Sequence, residues 1–219
     1  MIIPAILEKD FSEIKSKIAE LDQYTAIFQI DIIDGKITKG ETFLLPELLD
    51  QVQTEATFEL DLMVENPQDF VQERILSVFK VCANIKAMQN IPAFIQKAKE
   101  QDYVVGVSIN LDTPLDLIEP LLSEIDYIQF MGVTPGAQGR KFDKKTIEKI
   151  TEFKKEHPYF EIQVDGGIDE KILLEIKDLG IKNFVVGSTI FNSEDPVGTY
   201  KNLKEIVNDT TNNLFSLAE

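Results

Sequence analysis

Residues 160–190, "FEIQVDGGIDEKILLEIKDLGIKNFVVGSTI", hold a short β-branched run, a helical stretch and a second β-branched run. The flanking runs, Phe160 to Gly167 and Phe184 to Ile190, read as strands. Between them "DEKILLEIKDLG" sets apolar residues at three-to-four spacing with charge on the opposite face, and Asp169 is a helix-start signal. Strand, helix, strand is the unit that builds a parallel sheet covered by helices.

The same unit recurs along the whole chain. Further strands are expected at 2–7, 26–33, 58–64, 78–84, 103–110 and 127–133, which makes eight with the two above. Helical stretches such as "DFSEIKSKIAELDQY", "FLLPELLDQVQ", "NPQDFVQERILS", "IPAFIQKAKEQ", "TPLDLIEPLLSE" and "KKTIEKITEFKKEH" alternate with them. Asp10, Asn66 with Pro67, and Thr113 with Pro114 supply start signals. The strands read as nearly continuous apolar runs, and eight such units close into a (β/α)8 TIM barrel. With no linker or low-complexity segment in sight, residues 1–219 read as a single domain, the tail from Asn208 being a frayed end of the last helix.

Composition excludes several classes of function. No apolar stretch approaches the roughly 18 to 20 residues of a membrane span. "MIIPAILEKDF" has neither the basic segment nor the long apolar region of a signal peptide, so the expected place is the cytoplasm. A net charge of −16 argues against nucleic acid as a partner, since backbone phosphates draw on clustered Lys and Arg. A phosphorylated ligand would therefore be held largely by backbone amides. Cys82 is the only cysteine and reads as a buried thiol; His157, the only histidine, reads as a solvated helix cap.

The chemistry-bearing residues are acidic. Asp31, Asp61 and Asp165 fall inside strands or at their carboxyl ends, where a carboxylate is costly unless paired, hydrogen-bonded or metal-bound. The alternative is that each points outward to cap a helix or meet a lysine. Asp34 beside Gly35 reads as a turn former. Gly166 and Gly167 after strand seven, with Gly187 and Ser188 in strand eight, suit the phosphate site that such barrels build from their last two loops.

Taken in order, "IIPAILEKDF", "QIDIIDG", "ELDLMVENP", "FMGVTPGAQGRKF", "QVDGGI" and "FVVGSTIF" resemble the corresponding segments of ribulose-phosphate 3-epimerases over residues 2–191. The resemblance implies a 1,1-proton transfer on a phosphorylated ketose, with Asp31 and Asp165 as base and acid on opposite faces of carbon 3. It places Met63 and Met131 near a cis-enediolate, phosphate on Gly166, Gly167, Gly187 and Ser188, and a mobile loop over Thr134 to Phe142 that brings Gly136 and Gly139 near the substrate. Arg140 in that loop is either a phosphate contact or a solvated charge.

The chain departs from the family at the site itself. Where the family has metal-binding histidines this sequence has Gln29 and Asp61, where it has a serine Ala5 stands, and a third methionine position is Ile33. Two readings follow. In one, Gln29, Asp31, Asp61 and Asp165 form an oxygen-only metal site that favours Mg²⁺ or Mn²⁺ over Zn²⁺. In the other, no metal is held, and the barrel binds a sugar phosphate without epimerising it or performs different chemistry. The strand-three region has "LDLMVE" and no Asp-x-Lys-x-x-Asp, which disfavours decarboxylase or hexulose-phosphate synthase chemistry. A barrel serving only as an interaction platform would not need Asp165, Gly166, Gly167, Gly187 and Ser188 together. Self-association into a homo-oligomer is left open by the sequence.

Overall fold

A computed structural model describes residues 1–134 and 139–209. Gly136 and the tail from residue 210 lie outside the described residues. The strands are β1 (Ile2–Ile6), β2 (Ile27–Ile33), β3 (Thr57–Met63), β4 (Val78–Asn84), β5 (Val104–Ile109), β6 (Tyr127–Met131), β7 (Glu161–Asp165) and β8 (Asn183–Val186). They pair in sequence order, β8 pairs with β1, and every ladder is parallel, so the sheet closes into a (β/α)8 barrel. The helices are α1 (Phe11–Leu21), α2 (Ile91–Glu100), α3 (Lys145–Glu156), α4 (Glu170–Ile176), α5 (Ser188–Phe191) and α6 (Pro196–Asn208). Among the described residues no helix is long and apolar enough to cross a membrane.

The strands divide their side chains between two different interiors. Phe28, Ile30 and Ile32 of β2, Phe58, Leu60 and Leu62 of β3, and Ile162 and Val164 of β7 join the large apolar cluster that α1, α2, α3, α4 and α6 also enter. The intervening positions face the barrel axis. Among the described residues the apolar cluster there is small, Ile3, Ala5, Ile27 and Val185, and the remaining space holds buried polar groups: Gln29, Asp31, Glu59, Asp61, Lys80, Ser108, Gln129, Gln163 and Asp165. The continuous apolar reading of the strands is thus corrected. They alternate, and much of the polar face meets partners across the axis, Asp61 Oδ1 and Ser108 Oγ being buried without a hydrogen-bond partner.

Three connections expected to be helical are short 3₁₀ pieces instead, at Pro46–Gln51, at Pro67–Val71, and as the pair Leu115–Leu117 and Glu119–Leu121. Pro120 removes a backbone N–H in the middle of the last of these and its ring crowds the preceding turn, so a longer α-helix is broken there. Of the start signals, Asp169 caps α4 by accepting from Ile172 N–H at 2.8 Å, whereas the side chains of Asp10 and Asn66 make no cap bond. Thr113 Oγ1 accepts instead from Asn110 N–H at 3.2 Å. Asn90 and Asp195, which sequence reading passed over, do cap α2 and α6. His157 is the C-cap residue of α3, and Cys82 is buried and outside any disulfide.

The eighth strand ends earlier than expected. It stops at Val186, and Gly187 turns the chain into the single-turn helix α5, so Gly187 and Ser188 sit at the carboxyl end of the strand rather than within it. β7 likewise stops at Asp165, and Gly166 and Gly167 both take positive φ, 99° and 71°, a conformation that side chains resist. The two glycine-bearing turns therefore leave the barrel side by side, since β7 and β8 are paired.

Candidate active site

Register brings the carboxylates together. Asp31 and Asp61 are direct partners across β2 and β3, and the odd-position alternation points both at the axis. Asp165, last residue of β7, points the same way. One oxygen from each of the three lies within 4.8 Å of the others. No lysine or arginine reaches them among the described residues' ion pairs; their neighbours are amides. Gln29 Nε2 donates to Asp31 Oδ1 and to Asp165 Oδ2, each at 2.8 Å. Gln129 Nε2 donates to Asp61 Oδ2 at 2.9 Å and approaches Asp165 Oδ2 at 3.5 Å.

These surroundings favour protonated carboxyls. Burial pushes Asp31 well above the usual carboxylate range, and the charge of Asp165 adds to the effect against the Gln29 hydrogen bond. Asp61 is raised for the same first reason, then by Asp31 and Asp165. Burial pushes Asp165 up to about 7, with Gln29 opposing. Both carboxyls of the Asp31/Asp165 pair are thus pushed toward the protonated form in the absence of a cation. A carboxyl so raised is able to hold or release a proton in the range where general acids and bases work.

The residues present fit a hard divalent cation. Three carboxylates converge, and Asp61 Oδ1 is buried with no hydrogen-bond partner, an oxygen that a cation would satisfy. Gln29 is placed differently from the expectation of a ligating carbonyl. Its Nε2 faces the carboxylates and its Oε1 accepts from Gln163 Nε2 at 3.4 Å, so in this orientation it is a donor to the ligands and adds no oxygen of its own. Replacing Asp61 by Asn should show whether the cluster holds a cation. In EDTA at mildly alkaline pH the variant is expected to melt a few degrees higher than the parent, because a buried repulsive charge is gone. It should also lose any melting shift that Mg²⁺ or Mn²⁺ gives the parent; an Asp61→Asn protein that keeps that shift would exclude Asp61 as a ligand.

A cavity of about 60 Å³ opens at the carboxyl ends of the strands and is lined by Asp31 and Asp165, by Met63 and Met131, and by Gly166, Gly167, Gly187 and Ser188. Gly139 and Arg140 line it too, beside Ala5, Leu7 and Val133. Gln29 and Asp61 are fully buried and do not reach it. The cavity is small for a sugar phosphate. At Gly167 a Cβ would stand 2.6 Å from Phe142 N and 2.9 Å from Arg140 O, so the Arg140–Phe142 backbone packs directly on that turn. Arg140 donates from Nη1 to Thr134 O at 2.8 Å, a contact within its own loop. Sequence reading did not single out Gln129, Gln163, Glu59 or Lys80. The signal for the glutamines was the Gln that recurs one residue after Ile or Phe in β2, β6 and β7, "FQI", "IQF" and "IQV", and Glu59 and Lys80 follow Phe in the same way in "FEL" and "FKV".

A parallel eight-stranded barrel with a carboxylate cluster on its axis, and glycine turns after its last two strands opening on the same cavity, belongs to the class of (β/α)8 barrels that act at the carboxyl ends of their strands. Within that class the chain belongs to the ribulose-phosphate 3-epimerase family, whose profile matches residues 1–191. It is 30% identical to a ribulose-phosphate 3-epimerase of Aquifex aeolicus (strain VF5), over 94% of this chain and 96% of that one. It is 25% identical to a ribulose-phosphate 3-epimerase of Schizosaccharomyces pombe, over 94% of this chain and 93% of the other. Among solved structures, 3-hexulose-6-phosphate synthase from Salmonella typhimurium superposes with a TM-score of 0.71 at 18% identity, covering 94% of this chain and 97% of that one, a likeness of fold.

Proposed function

We propose that the protein is an isomerase that epimerises a ketose phosphate at carbon 3, with D-ribulose 5-phosphate and D-xylulose 5-phosphate as the pair to test first. The observation that carries this is the shared cavity: Asp31 on β2 and Asp165 on β7 line it together with Gly166, Gly167, Gly187 and Ser188. Epimerisation needs a proton taken from one face of a carbon and another returned to the opposite face, a task for two carboxyls of opposite protonation state. The carbon is acidic because it lies beside a carbonyl, and the charge that develops on the enediolate oxygens must be met by fixed positive groups.

In this reading Asp31 and Asp165 hold and move the protons, while Met63 and Met131 border the reacting carbons and exclude water. The backbone of Gly166, Gly167, Gly187 and Ser188 receives the phosphate, consistent with a chain of net charge −16 that has few cations to spare. The Gly139–Phe142 segment must draw back from Gly167 to admit the substrate and returns to close over it. A divalent cation held by Asp31, Asp61 and Asp165, with Mg²⁺ or Mn²⁺ suited better than Zn²⁺ to three carboxylates, would supply positive charge for the developing oxyanions.

A second reading, a barrel that grips the sugar phosphate without turning it over, draws support from the Gln29 amide, which offers N–H where the resemblance leads one to expect a ligand. One experiment decides between them: proton NMR of D-ribulose 5-phosphate with the protein in D₂O, after EDTA treatment and then with Mg²⁺, Mn²⁺ or Zn²⁺ added. Deuterium at carbon 3 with growth of xylulose 5-phosphate is expected. Binding without exchange under every cation would establish the second reading.

A further inference from the structure

Nearer the amino ends of the strands, the barrel axis holds an ion pair that the proton transfer does not touch. Lys80 Nζ of β4 stands 3.2 Å from Glu59 Oε2 of β3 and 3.8 Å from the centroid of the Tyr127 ring. Tyr127 Oη in turn donates to Glu59 Oε1 at 2.6 Å. Glu59 and Tyr127 are fully buried and Lys80 is 5% exposed. Apolar residues of similar volume commonly serve stability as well as such a pair does, so stability alone is a weak reason for it.

Its directionality is the stronger one. An ammonium has donors and no acceptor, so Gln163 must turn Oε1 toward Lys80, where it accepts at 2.9 Å. That leaves Gln163 Nε2 facing the other way, its two N–H groups donating to Glu59 Oε1 at 2.6 Å and to Gln129 Oε1 at 2.8 Å, with Gln29 Oε1 at 3.4 Å sharing one of them. With their carbonyls taken, Gln129 and Gln29 have only N–H to offer at their far ends, and those ends meet Asp61, Asp31 and Asp165. Gln29 and Gln129 therefore turn their N–H ends to the aspartates, while the N–H end of Gln163 faces their carbonyls.

We propose that Lys80 and Gln163 are positioning residues that lock Gln29 and Gln129 as permanent hydrogen-bond donors to the carboxyls that carry out the reaction. The proposal rests on the epimerase reading of the same site. Carboxyls that pass protons to and from a substrate are acceptors at one moment and donors at the next. A free primary amide turns over to follow them, whereas an amide anchored at its carbonyl does not. The donors then stay aimed at the carboxylate charge throughout the reaction, with no reorganisation at the moment of transfer.

The test compares Lys80→Met, Lys80→Arg and Gln163→Leu, with the double change Glu59→Gln and Lys80→Met in case the single one leaves a buried charge that prevents folding. Two quantities are read: kcat and KM for the ketose phosphate, and the side-chain amide ¹H–¹⁵N resonances of Gln29 and Gln129. Loss of the anchor is expected to lower kcat by about 10- to 100-fold, less than the roughly 100- to 1,000-fold cost of removing a charge-stabilising donor because the amides are misaimed rather than lost, with KM nearly unchanged because the phosphate contacts lie elsewhere. The two amide resonances should shift and exchange faster with solvent, and Lys80→Arg, which also has donors only, should restore both readings. Folded Lys80→Met and Gln163→Leu proteins with parental kcat and parental amide resonances would overturn the proposal. The resonances need no turnover: if they shift in a protein inert toward every ketose phosphate, the locking stands and the epimerase reading falls.

Discussion

Asp165→Asn should lower kcat by about 100- to 10,000-fold, the usual worth of a general acid or base, and leave KM within a small factor. The substitution is nearly isosteric, and an Asn oxygen still accepts the 2.8 Å bond from Gln29 Nε2, so the cavity should keep its shape. What disappears is the proton exchange at one face of the substrate. Asp31 on β2 remains in place, so the variant should still wash deuterium into carbon 3 of one epimer while failing to interconvert the two. Asp31→Asn should show the mirror result, exchange into the other epimer alone. Deuterium incorporation measured separately from each pure epimer reads this directly. Unchanged interconversion in both variants would remove the two-carboxyl mechanism, and loss of exchange from both epimers in each variant would assign the two carboxyls a joint rather than a sided role.

The barrel was legible because its strands are short β-branched runs at regular intervals, and their positions in the structure differ from the reading only at the ends. Helices were less legible where proline intervened: "TPLDLIEPLLSE" has helical spacing, but Pro120 limits it to two 3₁₀ turns. The strand interiors were misjudged in an instructive way. "FQID" in β2, "FELD" in β3 and "FEIQVD" leading through β7 do alternate polar with apolar, a pattern ordinarily taken for a strand with one face in water. Here the polar face is the barrel axis, and only closure of the sheet reveals that Gln29, Glu59 and Gln163 meet there.

Asp31, Asp61 and Asp165 were legible as a cluster because carboxylates in buried strands demand partners. The orientation of Gln29 was not. It depends on Lys80, which acts through Gln163, and these residues lie on β2, β4 and β7, far apart in the chain. The resemblance implies a metal-ligand position at Gln29; whether that side chain turns oxygen or nitrogen to the site is decided through hydrogen bonds across the axis. An amide where the resemblance implies an imidazole thus leaves three carboxylates that meet the N–H ends of two amides.

The same cluster sets how stability varies with pH. In the cation-free protein Asp165 is raised to about 7 from an ordinary 3.8 by burial, so between those values the folded chain holds a proton that the unfolded chain has released. Stability then falls as pH rises: the contribution is complete below the unfolded value and is lost as pH climbs through the folded one. Three units correspond to a loss on the order of 4 kcal/mol. Asp31 and Asp61, raised well above the usual range, act in the same direction. Asp50 and Asp112 are lowered, so their contribution is lost only in acid and does not oppose the trend at higher pH. Urea denaturation in EDTA, run from mildly acid to mildly alkaline pH, should therefore give a falling stability. Adding Mg²⁺ or Mn²⁺ should flatten or reverse the slope, because a cation binds the carboxylates more tightly as they lose protons, and a ligand at 100 times its Kd adds about 2.7 kcal/mol. A stability that rises with pH in EDTA would mean that the three carboxyls are ionised in the folded protein without a cation, and that the amides of Gln29 and Gln129 alone offset their mutual repulsion.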